Sequence, residues 1–331
     1  MRLTKLFKDL GYSIHKIELP TIFEMKTVNS YIVKGDSVTV IDCGERSDEC
    51  WAAMIKGLAD LNLTVSDIDE ILITHAHVDH MGMAKKLSDE SGAKVKVSDL
   101  VYDWAIHLER EWDTRTEVMK QAFTDLLTKE QATHFFAILN SWFGNLHKYW
   151  DAMSENQVER FDYKGLVNIG GYDFQSIHAP GHSYTQTCFF YEQSGDFISA
   201  DMLLPITPTC VIETNPKTKK GRNKSMLELL NSYNLLRKMD IQKMYPGHYT
   251  IKETHKELID RQVNRIMMRK DYVLELIETG HNQFMTLFNA LYDRKMNFPG
   301  LVMTIGYLDL LEHEGSIHSI QNDNGRVYIA H

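Results

Sequence analysis

The sequence predicts an α/β fold interrupted by a helical insertion and followed by a smaller C-terminal unit. Three observations carry that expectation. β-Rich runs alternate with helical segments between about residues 13 and 250, and an aromatic-dense stretch without strand signals divides them. After Thr250, helical periodicity gives way to two short β-like runs. At roughly 150 residues per domain, the 331 residues suffice for two domains. The 43% hydrophobic and 24% charged content is that of a globular protein with a full core, which excludes disordered and fibrous readings.

The elements follow in order. Ser13 to Asp42 reads as strands, because Ser30 to Val33 and Ser37 to Ile41 are β-rich and flank the turn signal Lys34-Gly35-Asp36. A helix is expected from about Asp48 to Ala59, an apolar strand from Glu70 to Thr74, and a second helix from Met81 to Asp89 that Ser91-Gly92 closes. Within the insertion, placed at 100–155, helical segments carry Trp104, Trp112, Phe123, Phe135, Phe136, Trp142, Phe143, Tyr149 and Trp150. Strands resume at Leu166 to Ile169, Tyr172 to Ile177, Thr187 to Tyr191 and Phe197 to Ala200, the last two joined by Gln193-Ser194-Gly195-Asp196. A helix at Lys224 to Met239 and a strand at Gln242 to Tyr245 complete the first unit, residues 1–250. In residues 251–331, helices at about 253–278, 283–292 and 301–313 precede β-like runs around Asn322-Asp323-Asn324-Gly325, a winged-helix-like pattern.

Composition narrows the partners. With 36 basic against 45 acidic residues the formal charge is −9, so nucleic acid and anionic membrane are not expected partners. No apolar run reaches the 18 or so residues that cross a bilayer, and the N-terminal segment is broken by charges, which points to an unprocessed cytoplasmic chain. Cys43, Cys50, Cys188 and Cys210 form no C-x-x-C pair and read as reduced thiols.

The fifteen histidines are the informative excess. Thr74-His75-Ala76-His77-Val78-Asp79-His80-Met81-Gly82 sets three imidazoles and a carboxylate in six residues directly after a strand. His75 and His77, two apart in extended backbone, can converge on one ion, while Asp79 and His80 open a helix and point to a neighbouring position.

At these residues the chain resembles the metallo-β-lactamase superfamily of metallohydrolases. Further elements follow in family order: Val40-Ile41-Asp42-Cys43-Gly44, Ala179-Pro180-Gly181-His182-Ser183, Ile198-Ser199-Ala200-Asp201 and Tyr245-Pro246-Gly247-His248. The resemblance implies a four-layer αββα sandwich for residues 1–250, with the insertion as a helical cap. It implies one metal held by His75, His77 and His182, a second by Asp79, His80 and His248, and Asp201 bridging both. Asp42 would orient ligands without binding metal. Such a donor set suits zinc and also accepts iron or manganese. Two ions about 3.5–4 Å apart would share a hydroxide that attacks an electrophilic carbonyl or phosphorus, with Asp79 also able to relay a proton.

The core motifs look like those of glyoxalase II and lactonase-like members, and the tail like that of winged-helix-tailed hydrolases. The expected function is therefore binuclear hydrolysis of a small acyl compound: a thioester, lactone or other ester. The long insertion and the different tail set the chain apart from glyoxalase II. A phosphodiester-cleaving nuclease and a non-catalytic winged-helix regulator are the alternatives. The acidic balance weighs against the nuclease, and the scarcity of basic residues in 304–313 against groove insertion. The tail then serves packing, lid support or a homodimer contact.

Candidates for substrate contact are the cap aromatics, Tyr184, Tyr249 and the basic run Lys217, Lys219, Lys220, Arg222 and Lys224, which also reads as a solvated loop. Arg261, Arg265 and Arg269 read as a solvated or ion-paired helix face. His178, His255, His281, His313 and His318 read as structural or surface residues. His107, His134 and His147 read as solvated or packed, though the cap could turn them toward substrate.

Overall fold

The computed structural model describes residues 11–144, 146–215, 218, 220–322 and 325–331. Strands β1 (Ser13–Pro20), β2 (Thr27–Lys34) and β3 (Val38–Ile41) open the chain, followed by helix α1 (Asp48–Asp60) and β4 (Glu70–Ile73). Two short helices, α2 (Val78–Met81) and α3 (Ala84–Ser91), lead to β5 (Lys94–Ser98). The single helix expected over this stretch is broken at Gly82, where an added Cβ would run into the Tyr149 carbonyl and stand 2.9 Å from Glu45 Cα.

The cap consists of α4 (Tyr102–Ile106), α5 (Leu108–Thr124) and α6 (Lys129–Phe143). α6 starts at a capping box: the Thr128 side chain accepts from Gln131 N, and the Gln131 side chain accepts from Thr128 N. After β6 (Val158–Phe161) come β7 (Leu166–Ile169), β8 (Tyr172–His178), β9 (Thr187–Tyr191), β10 (Asp196–Ala200), α7 (Ser225–Leu236) and β11 (Lys243–Pro246). Then α8 (His255–Glu278), α9 (Phe284–Leu291) and α10 (Phe298–Glu314) precede the hairpin of β12 (Ile317–Asn322) and β13 (Gly325–Ala330).

The first sheet runs β1-β2-β3-β4-β5-β6, and the second β11-β10-β9-β8-β7. Strands β3 to β6 are parallel, as are β10 and β11, and the rest pair antiparallel. Between the sheets lies an apolar layer that includes Ile41, Leu72, Phe174, Phe189 and Ile198. On the outer face of the first sheet, Met54, Leu58, Leu87 and Trp104 pack over Ile71, Ile73 and Val95. The outer face of the second sheet is covered by Leu229, Tyr233 and Leu236 of α7, in one cluster with the C-terminal helices and Phe123 and Phe135 of the cap. Two sheets face to face with helices outside each make the αββα sandwich.

Strands β5 and β6 were not anticipated. β5 reads Lys-Val-Lys-Val-Ser, but it is buried through Lys96, whose ammonium is neutralised by Glu70 on the neighbouring strand. β6 is an edge strand with no fully buried residue, so it carries no hydrophobic signature. All four cysteines are buried free thiols. Among the described residues, no helix is long and apolar enough to cross a membrane.

Candidate metal centre

The seven residues sit just beyond strand ends that converge on one rim of the sandwich. His75 and His77 follow β4, and Asp79 and His80 lie in α2. His182 follows β8, Asp201 immediately follows β10, and His248 lies two residues after β11. Parallel strands carry these ends to the same edge, which is where α/β sheets present their loops for chemistry. The backbone is bent to do so: Asp42, Ala200 and Tyr249 have φ of 54°, 41° and 62°. Non-glycine residues in that region store strain that the surroundings must hold in place. At Gly247 the constraint is space, since a Cβ there would collide with Asp201 Oδ1 and lie 2.8 Å from His80 Cε1.

The side chains form two adjoining groups. His77 Nδ1 is 3.0 Å from both His75 Nε2 and His182 Nε2. In the second group, His248 Nε2 is 3.3 Å from Asp79 Oδ2, and His80 Nε2 is 4.0 Å from the same oxygen. Asp201 lies between them, its oxygens 3.4 Å from His80 Nε2, 3.4 Å from His182 Nε2 and 3.3 Å from His248 Nε2. Each triad brings its ligand atoms within 4.8 Å of one another, close enough to hold an ion. A third such group, Asp42 with His75 and His80, overlaps them.

The outer nitrogens fix which atoms face inward. His80 Nδ1 is 2.7 Å from Asp42 Oδ2, His182 Nδ1 2.8 Å from Thr209 O, and His248 Nδ1 2.7 Å from Thr27 O. Those contacts leave each Nε2 directed at the cluster. His80 Nε2, His248 Nε2 and Asp201 Oδ1 are buried without any hydrogen-bond partner. Buried polar atoms are rarely left so, and an imidazole triad with mutually facing nitrogens needs a shared cation to be satisfied. The donor set therefore fits divalent ions.

Asp42 itself accepts from Thr74 N at 2.9 Å on Oδ1 and from Thr74 Oγ1 at 2.8 Å on Oδ2. It orients His80 without belonging to either triad of the pair. Asp42→Ala is expected to weaken metal binding by about 10–100-fold while the chain stays folded. Competition with a chromophoric chelator measures this, and unchanged affinity would contradict the orienting role.

The electrostatics match a cation site. Burial alone would lower the His80 pKa, but the carboxylates of Asp201, Asp42 and Asp79 outweigh it and push it up to about 10. At His248 burial is likewise overcome, here by Asp201 and Asp79, and the pKa rises to about 12. Burial drives His75 and His77 the other way, to well below the ordinary range, with neighbouring imidazoles adding to the effect. Burial would raise Asp201, but His248 and His80 hold it well below the usual carboxylate range. The carboxylates of Asp42, Asp79 and Asp201 thus favour positive charge at this rim.

The other candidates fall elsewhere. Tyr249 is partly exposed, its ring 6.3 Å from that of His248 and its carbonyl held by Asn29 Nδ2 at 2.9 Å. Tyr184 stacks edge-on to His178 at 5.1 Å. Arg222 makes a bidentate pair with Asp309, and Lys220 and Lys224 are exposed. Lys217, Lys219 and the side chains of Trp142, Phe143 and His147 lie outside the described residues, as do Asp323 and Asn324 of the hairpin signal. Arg261 pairs with Glu253, and Arg269 lies over the Tyr292 ring. Among cap aromatics, Trp104 and Trp150 stack at 5.8 Å, and Phe123 and Phe135 are buried against the second-sheet core. His134, His281, His313 and His318 are exposed, and His255 is buried.

Sequence reasoning missed the supports: Thr74, Asn29 and the carbonyls of Thr27 and Thr209. It also missed Gln262 of α8, which donates to Leu204 O at 2.9 Å and accepts from Thr207 Oγ1 at 2.6 Å, bracing the loop that holds His182. Backbone carbonyls carry no sequence signal, and Gln262 gave none because its partners lie more than 50 positions away.

Comparison with known proteins gives concordant results. Residues 25–248 match the family described as the Metallo-beta-lactamase superfamily. The probable metallo-hydrolase YqjP of Bacillus subtilis (strain 168) is 27% identical over 316 residues, covering 93% of this chain and 95% of the relative. Among solved structures, the metallo-beta-lactamase family protein TTHA1429 from Thermus thermophilus superposes with a TM-score of 0.79 at 20% identity, over 96% of this chain and 98% of that one. A beta-lactamase domain protein from Burkholderia ambifaria gives 0.72 at 18% identity, over 96% and 91%. The two structures share the fold along nearly the whole chain, cap and C-terminal helices included.

Proposed function

This chain belongs to the metallo-β-lactamase superfamily, and on that premise we propose that it is a binuclear metal-dependent hydrolase of a small acyl substrate, a thioester, lactone or other ester. The observation that carries the reading is the pair of adjoining triads with Asp201 between them and with His80 Nε2, His248 Nε2 and Asp201 Oδ1 buried without a hydrogen-bond partner. His75, His77 and His182 would hold one ion, Asp79, His80 and His248 the other, and Asp201 both. Zinc is the default, with iron or manganese also accepted by this donor set. Bound there, such ions supply Lewis acidity, which lowers the pKa of water and polarises the attacked oxygen.

The chain's own residues do the rest. Asp42, Thr209 and Thr27 fix three imidazole orientations before any ligand arrives, so little reorganisation is left for the reaction. Asp79, whose Oδ2 lies 3.3 Å from His248 Nε2, would orient the attacking water and take its proton. Hydrolysis adds that water across the acyl bond, releasing an acid and an alcohol or thiol. The Bacillus subtilis relative, a probable metallo-hydrolase, supports the same class.

Against a nuclease stand the −9 charge and the engagement of Arg222 and Arg261 by carboxylates. A regulator using α10 on DNA is disfavoured because residues 300–311 of that helix are all buried. The deciding experiment is a panel of acyl thioesters, lactones, simple esters, phosphodiesters and RNA with the metal-loaded protein. Turnover of an acyl member that chelator abolishes is expected. Activity confined to phosphodiesters or RNA would overturn the acyl reading.

A further inference from the structure

Four of the five imidazoles at the rim have their outer nitrogen tied to a neighbour. His80, His182 and His248 are held by Asp42, Thr209 and Thr27, and His75 Nδ1 meets Thr74 Oγ1 at 2.9 Å. His77 is the exception: its Nδ1 faces the cluster, and its Nε2 is buried with no hydrogen-bond partner among the described residues. The place of this ring is therefore decided by its backbone. The chain just before it is fixed from the other half of the sandwich, because Ala76 N donates to Thr185 Oγ1 at 3.0 Å.

That bond begins a series. Thr185 Oγ1 is 2.9 Å from Ser183 Oγ, and Ser183 Oγ donates to Glu213 Oε1 at 3.0 Å. Each hydroxyl has one proton, so the directions are settled. Ser183 gives its proton to the carboxylate, Thr185 then donates to Ser183, and Thr185 Oγ1 is left to accept from Ala76. Every donor points toward Glu213, and in a chain so aligned each bond polarises the next. Glu213, Ser183 and Thr185 are 6%, 1% and 5% exposed, so water competes little with these bonds.

Glu213 is itself held. Its amide donates to Asn223 Oδ1 at 3.1 Å, Asn223 N donates to its carbonyl at 2.9 Å, and its second carboxylate oxygen accepts from Tyr184 N. The same stretch grips His182 at two further points, through Thr209 O on Nδ1 and through Val211 N, which donates to His182 O at 3.1 Å. The contact at Glu213 continues across to the loop that carries His75 and His77, and so joins the two halves that supply the first triad. We propose that Glu213 is a positioning residue for that triad: through Ser183 and Thr185 it fixes the backbone at Ala76, and with it the place of His77 beside His75 and His182. This rests on the reading of the triads as metal sites and adds what sets the affinity of one of them.

The test compares wild type with Glu213→Gln, Thr185→Val, Thr185→Ser and the double variant of Glu213→Gln with Thr185→Val. Zinc affinity is measured by competition with a chromophoric chelator, and exchange of the Ala76 amide is followed in the metal-free protein. Glu213→Gln keeps the size of the side chain but sets an N–H against one of its donors, and Thr185→Val keeps the shape without the hydroxyl. Each should weaken one zinc-binding step by about 10–100-fold, leave the other close to wild type and speed Ala76 exchange. Thr185→Ser, which retains the hydroxyl, should keep both readouts near wild type. The double variant should be no weaker than the worse single one, because both substitutions cut one series, whereas independent sites would add. In crystals of Glu213→Gln at limiting zinc, the anomalous peak among His75, His77 and His182 should be the one lost. Additive losses, equal weakening of both steps, loss of the other peak, or zinc affinity or Ala76 exchange unchanged in Glu213→Gln would each overturn the proposal. A single zinc per chain, held by the first triad with an affinity that depends on Glu213, would uphold it and sink the binuclear reading. Two zinc ions and turnover of an acyl compound, both indifferent to Glu213→Gln, would do the reverse.

Discussion

Asp201→Ala is expected to lower bound metal from the two ions per chain of the proposed binuclear site to one or fewer and to cut hydrolysis by about a thousandfold or more. The magnitude follows from where the carboxylate stands. Its oxygens lie 3.3–3.4 Å from the Nε2 atoms of His80, His182 and His248, so one substitution withdraws a donor from both triads. It also removes the negative charge that, with Asp42 and Asp79, keeps His80 high and, with Asp79, keeps His248 high. The remaining imidazoles then face one another with less compensation. Metal analysis and turnover on the same preparation measure both effects, and a variant that keeps two tightly held ions would remove Asp201 from the bridging position.

Asp309→Asn is expected to destabilise the fold by about 3–5 kcal/mol and leave the metal centre formed. Asp309 is only 2% exposed, and its carboxylate takes Arg222 Nη1 at 2.5 Å and Nη2 at 2.7 Å. Removing one partner strands a guanidinium in a place water reaches poorly. Arg222 lies in the segment after the second sheet's Asp201 strand and Asp309 on α10, so the pair ties the C-terminal helices to the sandwich. A drop in Tm of roughly 5–15 °C, read by calorimetry, corresponds to that loss. The paired substitution Arg222→Met with Asp309→Leu should recover much of it, because a well-packed apolar pair costs less than one uncompensated charge. A shift of only a degree or two in Asp309→Asn would mean that water or a neighbour replaces the carboxylate.

The two predictions separate what the sequence makes legible from what it hides. The His-x-His-x-Asp-His run and the three later ligand motifs are local, and strand ends bring all seven residues to one rim. Arg222 is different. In sequence it belongs to a basic loop, and only the fold reveals the carboxylate 87 positions away that buries it. α10 illustrates another limit. It has apolar residues on every side and is buried on nearly every side, so helical periodicity says little about which face packs where.

The cap shows how one composition supports two roles. Its aromatics were expected either to pack the insertion or to line a substrate pocket. Trp104 does the first by stacking on Trp150, and it also presents a face to Arg115. Loop support is similarly spread, with Gln262 of α8 holding the segment whose Thr209 carbonyl orients His182. The C-terminal helices thereby reach the metal centre through one hydrogen-bonded loop.

Anomalous diffraction from crystals of the zinc-loaded protein addresses the central claim most directly. The account predicts two peaks about 3.5–4 Å apart, one among His75, His77 and His182 and the other among Asp79, His80 and His248, with Asp201 between. A single peak, or zinc bound away from these residues, would contradict it.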